Sequence, residues 1–162
     1  MIDLLQEVRA RPSIDTVSFD VFDTILFRKY GSWRVLLRAL GQHMIECGLL
    51  SPHVTADFFV SIRLEAESKA HRSAADHKVY AVPLADIYDA VPRQYLHADA
   101  SSAKLAQVEF AFEKDAAYAL PITLKVLNEI DALGKRICFT SNTYFRREEL
   151  REILVHIGVP ER

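Results

Sequence analysis

The chain has 162 residues, a formal net charge of −2, a mean hydropathy of +0.03, and is 50% hydrophobic and 26% charged. That composition describes one globular domain's worth of chain with material for a core; it argues against disorder, and its charge supplies no global pull toward nucleic acid or an anionic membrane. No apolar run reaches the roughly 20 residues that span a bilayer, the N-terminus lacks a signal-peptide block, and Cys47 and Cys138 lack CxxC spacing, so the expectation is a cytoplasmic protein with neither membrane nor nucleic acid as partner.

Residues 1–12 read as a short helix, with Ile2, Leu5 and Val8 at helical spacing and Pro12 ending it. Thr16-Val-Ser-Phe-Asp-Val-Phe-Asp-Thr-Ile-Leu26 is rich in β-branched and aromatic residues and predicts a buried strand whose end carries two aspartates. Trp33, Leu36, Leu37, Leu40 and Met44 line one face of a helix that Gly48 stops. A second helix is expected from Thr55 to His71, with Phe58, Phe59, Ile62 and Ala66 facing inward, and then a loop over Arg72–Val82. Pro83 opens a short helix through Tyr88, and Ser101 or Ser102 caps a long one through Ala119. Pro121 starts a helix over Ile122–Leu133 that Gly134 closes. Lys135–Asn142 follows as a short strand ending in small polar residues, and Arg146–Ile157 forms the last helix.

A strand, a long helical block, and then helix–strand–helix predict an α/β fold with a parallel sheet. The block exceeds an ordinary crossover and reads as a separate lobe inserted between the strands. The expected division is 1–30 with 119–162 for the sheet core and 31–118 for the helical insertion.

The carboxyl ends of parallel strands are where open α/β sheets bind ligands. An ionised carboxylate placed there beside apolar residues is costly unless a cation or hydrogen bonds compensate it. Asp20 and Asp23 stand at that edge with Thr24 beside them; the plainer reading is that Asp23 and Thr24 cap the following turn.

Phe19-Asp-Val-Phe-Asp-Thr-Ile-Leu26 resembles the first motif of the haloacid dehalogenase (HAD) superfamily, a hydrophobic strand followed by Asp-x-x-x-Thr-hydrophobic. Ile137-Cys-Phe-Thr-Ser-Asn142 resembles its second, a strand ending in Ser or Thr, and the helical insertion resembles its cap. Arg63-Leu-Glu-Ala-Glu67, Asp86-Ile-Tyr88 and Glu109…Glu113 look like one bacterial subgroup of predicted HAD hydrolases, often fused to or encoded near glycosyltransferases. The resemblance implies a Rossmann-like core with Asp20 as nucleophile, Thr24 bracing the loop, Ser141 bonding a phosphoryl oxygen and Asn142 beside it as a substrate contact. It implies Mg²⁺ held by Asp20 and the carbonyl of Phe22 together with a later aspartate, a small phosphorylated substrate, and a glycosyltransferase domain or neighbour as partner.

Two features depart from the family pattern. Family phosphatases carry an acid/base aspartate two residues after the nucleophile, and here that position is Phe22; the dehalogenase branch also has an aromatic residue there. Asp23 could substitute, though strand alternation would turn it elsewhere. The chain also ends at Arg162, ahead of where the family's third-motif lysine and fourth-motif aspartates lie, so the expectation is a truncated core or one completed by a partner. The readings carried forward are a Mg²⁺-dependent phosphoryl-transfer hydrolase, a non-catalytic HAD-like binding module, and a carbon–halogen hydrolase.

Other residues have plainer accounts. Arg63 and Glu67, four apart on one helix, read either as an intrahelical ion pair or as cap residues reaching a substrate. Arg28 and Lys29 either steer an anionic substrate or are simply solvated. The six histidines lack metal-ligand spacing, Cys138 is expected in the core, and Arg146-Arg147 with Glu148-Glu149 reads as a helix start with a solvated face.

Overall fold

The computed structural model describes residues 4–77 and 81–160; Ile2 and residues 78–80 of the expected loop lie outside them. The chain is mixed α/β, and its contacts divide it into two units. One, the sheet unit, holds the residues up to Phe27, Ala117–Asn142 and the residues from Glu152 on; the other, the helical unit, holds Arg28–Ala116 and Thr143–Arg151. The expected boundaries differ most at Thr143–Arg151. That segment clusters with the helical unit because Tyr144 packs on Trp33, ring centroids 5.8 Å apart, and Phe145 on Phe110 at 5.9 Å.

In the sheet unit, α1 (Leu4–Ala10) leads to β1 (Thr16–Asp20), and the chain leaves through β2 (Phe27–Arg28). After the helical insertion come β3 (Ala117–Tyr118), which pairs with β2, then α6 (Pro121–Ala132) and β4 (Arg136–Thr140). β1 and β4 run parallel, Thr16 opposite Arg136 through Asp20 opposite Thr140. α6 packs on β4 and on α1, where Arg9 pairs with Glu129 at 3.1 Å. Pro121 occupies the first turn of α6, and Gly134, at φ 70°, supplies the left-handed residue that ends it.

The expected strand from Thr16 to Leu26 is half as long. It stops at Asp20 because the backbone then curls on itself: the Val21 carbonyl accepts from Ile25 N and Leu26 N, both at 2.9 Å, and Asp23 takes φ 58°. Nor is the pair buried on both faces. Val17 and Phe19 are buried while Thr16, Ser18 and Asp20 are exposed, and on β4 Ile137 and Phe139 are half-buried while Arg136, Cys138 and Thr140 are exposed. Cys138, expected in the core, therefore lies on the open face.

The helical unit contains α2 (Trp33–Glu46), α3 (Ala56–Asp76), α4 (Leu84–Asp89) and α5 (Ser102–Ala116), with a 3-10 turn at Arg93–Tyr95; α7 (Arg147–His156) begins there. Ser32 caps α2, Thr55 caps α3 and Ser101 caps α5, each accepting from the backbone N–H three residues on. Leu36, Leu37, Leu40 and Met44 of α2 are buried with Phe59 and Ile62 of α3, Ile87 and Tyr88 of α4, and Leu105 of α5. α2 and α3 pack closely at Gly41: a Cβ there would lie 2.7 Å from the Phe59 ring.

α3 outruns its expected end at His71, continuing through Ala74 and Ala75, strong helix formers, with Arg72 bonded to Ser68 one turn back at 2.6 Å. Phe58, expected inside, is exposed and meets Tyr95 edge-on, centroids 5.2 Å apart. α5 stops at Ala116 rather than Ala119 because Ala117 and Tyr118 enter β3.

Candidate active site

The carboxyl end of the parallel pair gathers the residues to which the resemblance assigns chemistry. Asp20 is the last residue of β1 and is exposed, opposite Thr140. The turn that follows is anchored by Val21, Ile25 and Leu26, all wholly buried, and closed by Asp23 N donating to the Leu26 carbonyl at 2.8 Å. With its apolar residues fixed inward, the turn brings Thr24 back over the strand end, where its Oγ1 donates to Asp20 Oδ2 at 3.3 Å. Four residues apart in sequence, the two meet through this turn and not through a helix.

Asp23 is exposed at the one non-glycine positive φ among the described residues. Aspartate tolerates that conformation better than most side chains. Since the strand has already ended, alternation does not decide where Asp23 points. Phe22 is half-buried. On β4, Thr140 Oγ1 donates across to the Phe19 carbonyl at 3.3 Å, and Ser141, half-buried, and Asn142, exposed, follow directly. Asp20, Thr24, Ser141 and Asn142 thus all belong to one edge of one unit.

The oxygen donors at that edge can be compared with what a cation requires. Among the described residues no three His, Cys, Asp or Glu side chains gather as a metal-binding set. Mg²⁺, however, takes hard oxygens, keeps several waters, and is commonly held by one or two carboxylates plus substrate phosphate. Asp20 and Asp23, both exposed at that edge, are hard-oxygen donors of the kind such an incomplete shell uses.

Arg63 and Glu67 belong to the helical unit, and there Arg63 is wholly buried. Its Nε and Nη2 donate to Glu109 Oε2 and Oε1 at 2.9 and 2.8 Å, and its Nη1 donates to Glu67 Oε2 at 2.8 Å. The guanidinium lies over the rings of Tyr88 and Tyr144, 5.5 and 5.1 Å from their centroids. Burial works against its charge, but the Glu109 carboxylate outweighs burial and holds the group well above its ordinary range. The intrahelical Arg63–Glu67 pair is therefore present as one arm of a larger cluster, and the guanidinium offered as a substrate contact is committed to that cluster.

Tyr88 Oη donates to Glu109 Oε2, and burial, reinforced by that carboxylate, pushes its hydroxyl well up. Burial does the same to Tyr144, with Glu109 the next contributor. Arg28, offered as a steering charge, donates through Nε to Glu113 Oε1 at 2.6 Å and lies 5.3 Å from the Trp33 ring centroid. Leu105, Glu109, Glu113 and Ala116 form the buried stripe of α5. Their helical spacing was the available signal that two glutamates face the core; Tyr144 carried no such signal.

Both cysteines are free and exposed. No helix among the described residues is long and apolar enough to cross a membrane. Comparison with protein-family models and with curated proteins gives no match for this chain.

Proposed function

We propose that this chain is a HAD-like module acting on a small phosphorylated substrate, with Asp20 as the nucleophile. The observation that carries the reading is the Asp20–Thr24 contact at the carboxyl end of a parallel strand, beside a second strand end bearing Ser141 and Asn142. In this reading an Asp20 oxygen attacks phosphorus, the bond to the leaving oxygen breaks, and water later cleaves the resulting acyl phosphate, dividing one difficult hydrolysis into two easier steps. Thr24 holds the carboxylate in position, and Ser141 and Asn142 donate to the phosphoryl oxygens. Asp20 and the Phe22 carbonyl would hold a Mg²⁺ ion, which would supply charge neutralisation between the two anions. A Rossmann-like core with the helical unit as its cap, and a glycosyltransferase domain or neighbour as partner, belong to the same proposal.

Phe22 favours a second reading, a module that binds the phosphorylated ligand without turning it over. A phenyl ring cannot protonate the leaving oxygen, and such help is typically worth about 10²–10⁴-fold. Thermal unfolding with Mg²⁺ and beryllofluoride, a mimic of the aspartyl phosphate, tests the shared claim. At 100 times its dissociation constant the ligand adds about 2.7 kcal/mol, and the shift disappears in Asp20→Asn. No shift in the wild-type chain overturns both readings. A shift without release of nitrophenol from p-nitrophenyl phosphate selects the binding module.

A further inference from the structure

Glu109 and Glu113 stand one helical turn apart on α5, both wholly buried, and their surroundings differ. Both oxygens of Glu109 are engaged by Arg63, and one also accepts from Tyr88. Glu113 accepts from Arg28 through Oε1 alone; its Oε2 is buried with no hydrogen-bond partner among the described residues. The Arg28 side chain is 14% exposed against 0% for Glu113, so water reaches the cation's side of the pair and not the anion's.

The groups facing α5 complete the balance. Arg28 comes from β2, Arg63 and Glu67 from α3, Tyr88 from α4 and Tyr144 from the 143–151 segment, while His43 of α2 lies on the Phe112 ring. With Arg28 and Arg63 positive and Glu67, Glu109 and Glu113 negative, the cluster carries one negative charge in excess. Arg63 is committed to Glu109 and Glu67, which leaves Arg28 as the cationic donor to Glu113, through Oε1 alone. A buried anionic oxygen without a donor carries its full desolvation cost. A proton on Oε2 removes the charge, while Oε1 still accepts from Arg28.

We propose that Glu113 is a proton-uptake site through which mild acidification stabilises the helical unit. Burial raises its carboxyl above the ordinary 4.5, Arg28 opposes the rise, and Glu109 adds to it. The folded chain therefore holds the proton more tightly than the unfolded chain. Stability is highest at the acid end of that window and falls as pH rises from 4.5 through the folded value.

Urea unfolding of the full chain between pH 4.5 and 8, wild type against Glu113→Gln, reads this directly. Going up in pH, the wild-type unfolding constant gains on that of the variant by up to about tenfold per pH unit, the slope of one proton. Infrared titration of glutamate-labelled folded protein resolves one carboxyl that ionises at higher pH than the rest. Parallel pH profiles for the two proteins overturn the proposal. So does an infrared titration in which every glutamate of the folded wild type ionises over one common range, a measurement that stands even where Glu113→Gln fails to fold.

Discussion

The strand-end carboxylate of the sheet unit and the buried arginine of the helical unit are built in opposite ways. At the carboxyl end of β1 and β4 the carboxylate is exposed, held by one hydroxyl at 3.3 Å. In the helical unit the guanidinium of Arg63 is sealed from water and bonded to two carboxylates, with two aromatic rings stacked near it. The exposed carboxylate is left open to a ligand, as the proposed function requires, whereas the buried guanidinium is satisfied within the cluster it joins. Charge pairing and accessibility are thus separated, and the buried Arg63–Glu109 pair is the wrong place to look for a substrate.

The sharpest break in that contrast is Arg63→Ala. It leaves Glu109 buried without its counter-ion, and removing one partner of a buried pair costs about 3–5 kcal/mol; urea unfolding reads the loss, and a cost under ~1 kcal/mol would mean the cluster holds nothing together. Next comes Gly41→Ala, which forces a methyl to within 2.7 Å of Phe59. Overpacking of this kind costs about 1–3 kcal/mol, seen as a lower urea midpoint. The smallest effect belongs to Asp20→Asn, which changes stability by no more than ~0.5 kcal/mol, as expected of an exposed side chain with one weak contact. A large loss there would make Asp20 structural and erase the contrast.

The parts of this architecture legible in the sequence were those with local causes. Thr55 and Ser101 mark helix starts and Gly134 a helix end because each serves the backbone within a few residues. The end of β1 was not legible, since Val21, Ile25 and Leu26 look like a continuing strand; their burial is achieved by a turn whose hydrogen bonds leave no trace in hydrophobicity. The Asp20–Thr24 contact could be anticipated from a motif resemblance, but not from strand periodicity, which ends at Asp20. The Arg63–Glu109 pair spans 46 positions, so from either residue alone it looks like a solvated helix face. Phe58 was misread because one apolar residue beyond the buried stripe finds an equally apolar neighbour at the surface, Tyr95.

The parallel pairing also dictates an order of assembly. Asp15 and Arg136, which meet at the open end of the β1–β4 register, lie 121 positions apart, with the whole helical insertion between them. Closing so long a loop is entropically expensive until that chain has already collapsed, whereas α2 and α3 meet across a short connection. On a ribosome β1 emerges before the helical insertion and β4 after it, so the strand bearing Asp20 must wait, unpaired, while the helices it introduces fold ahead of it.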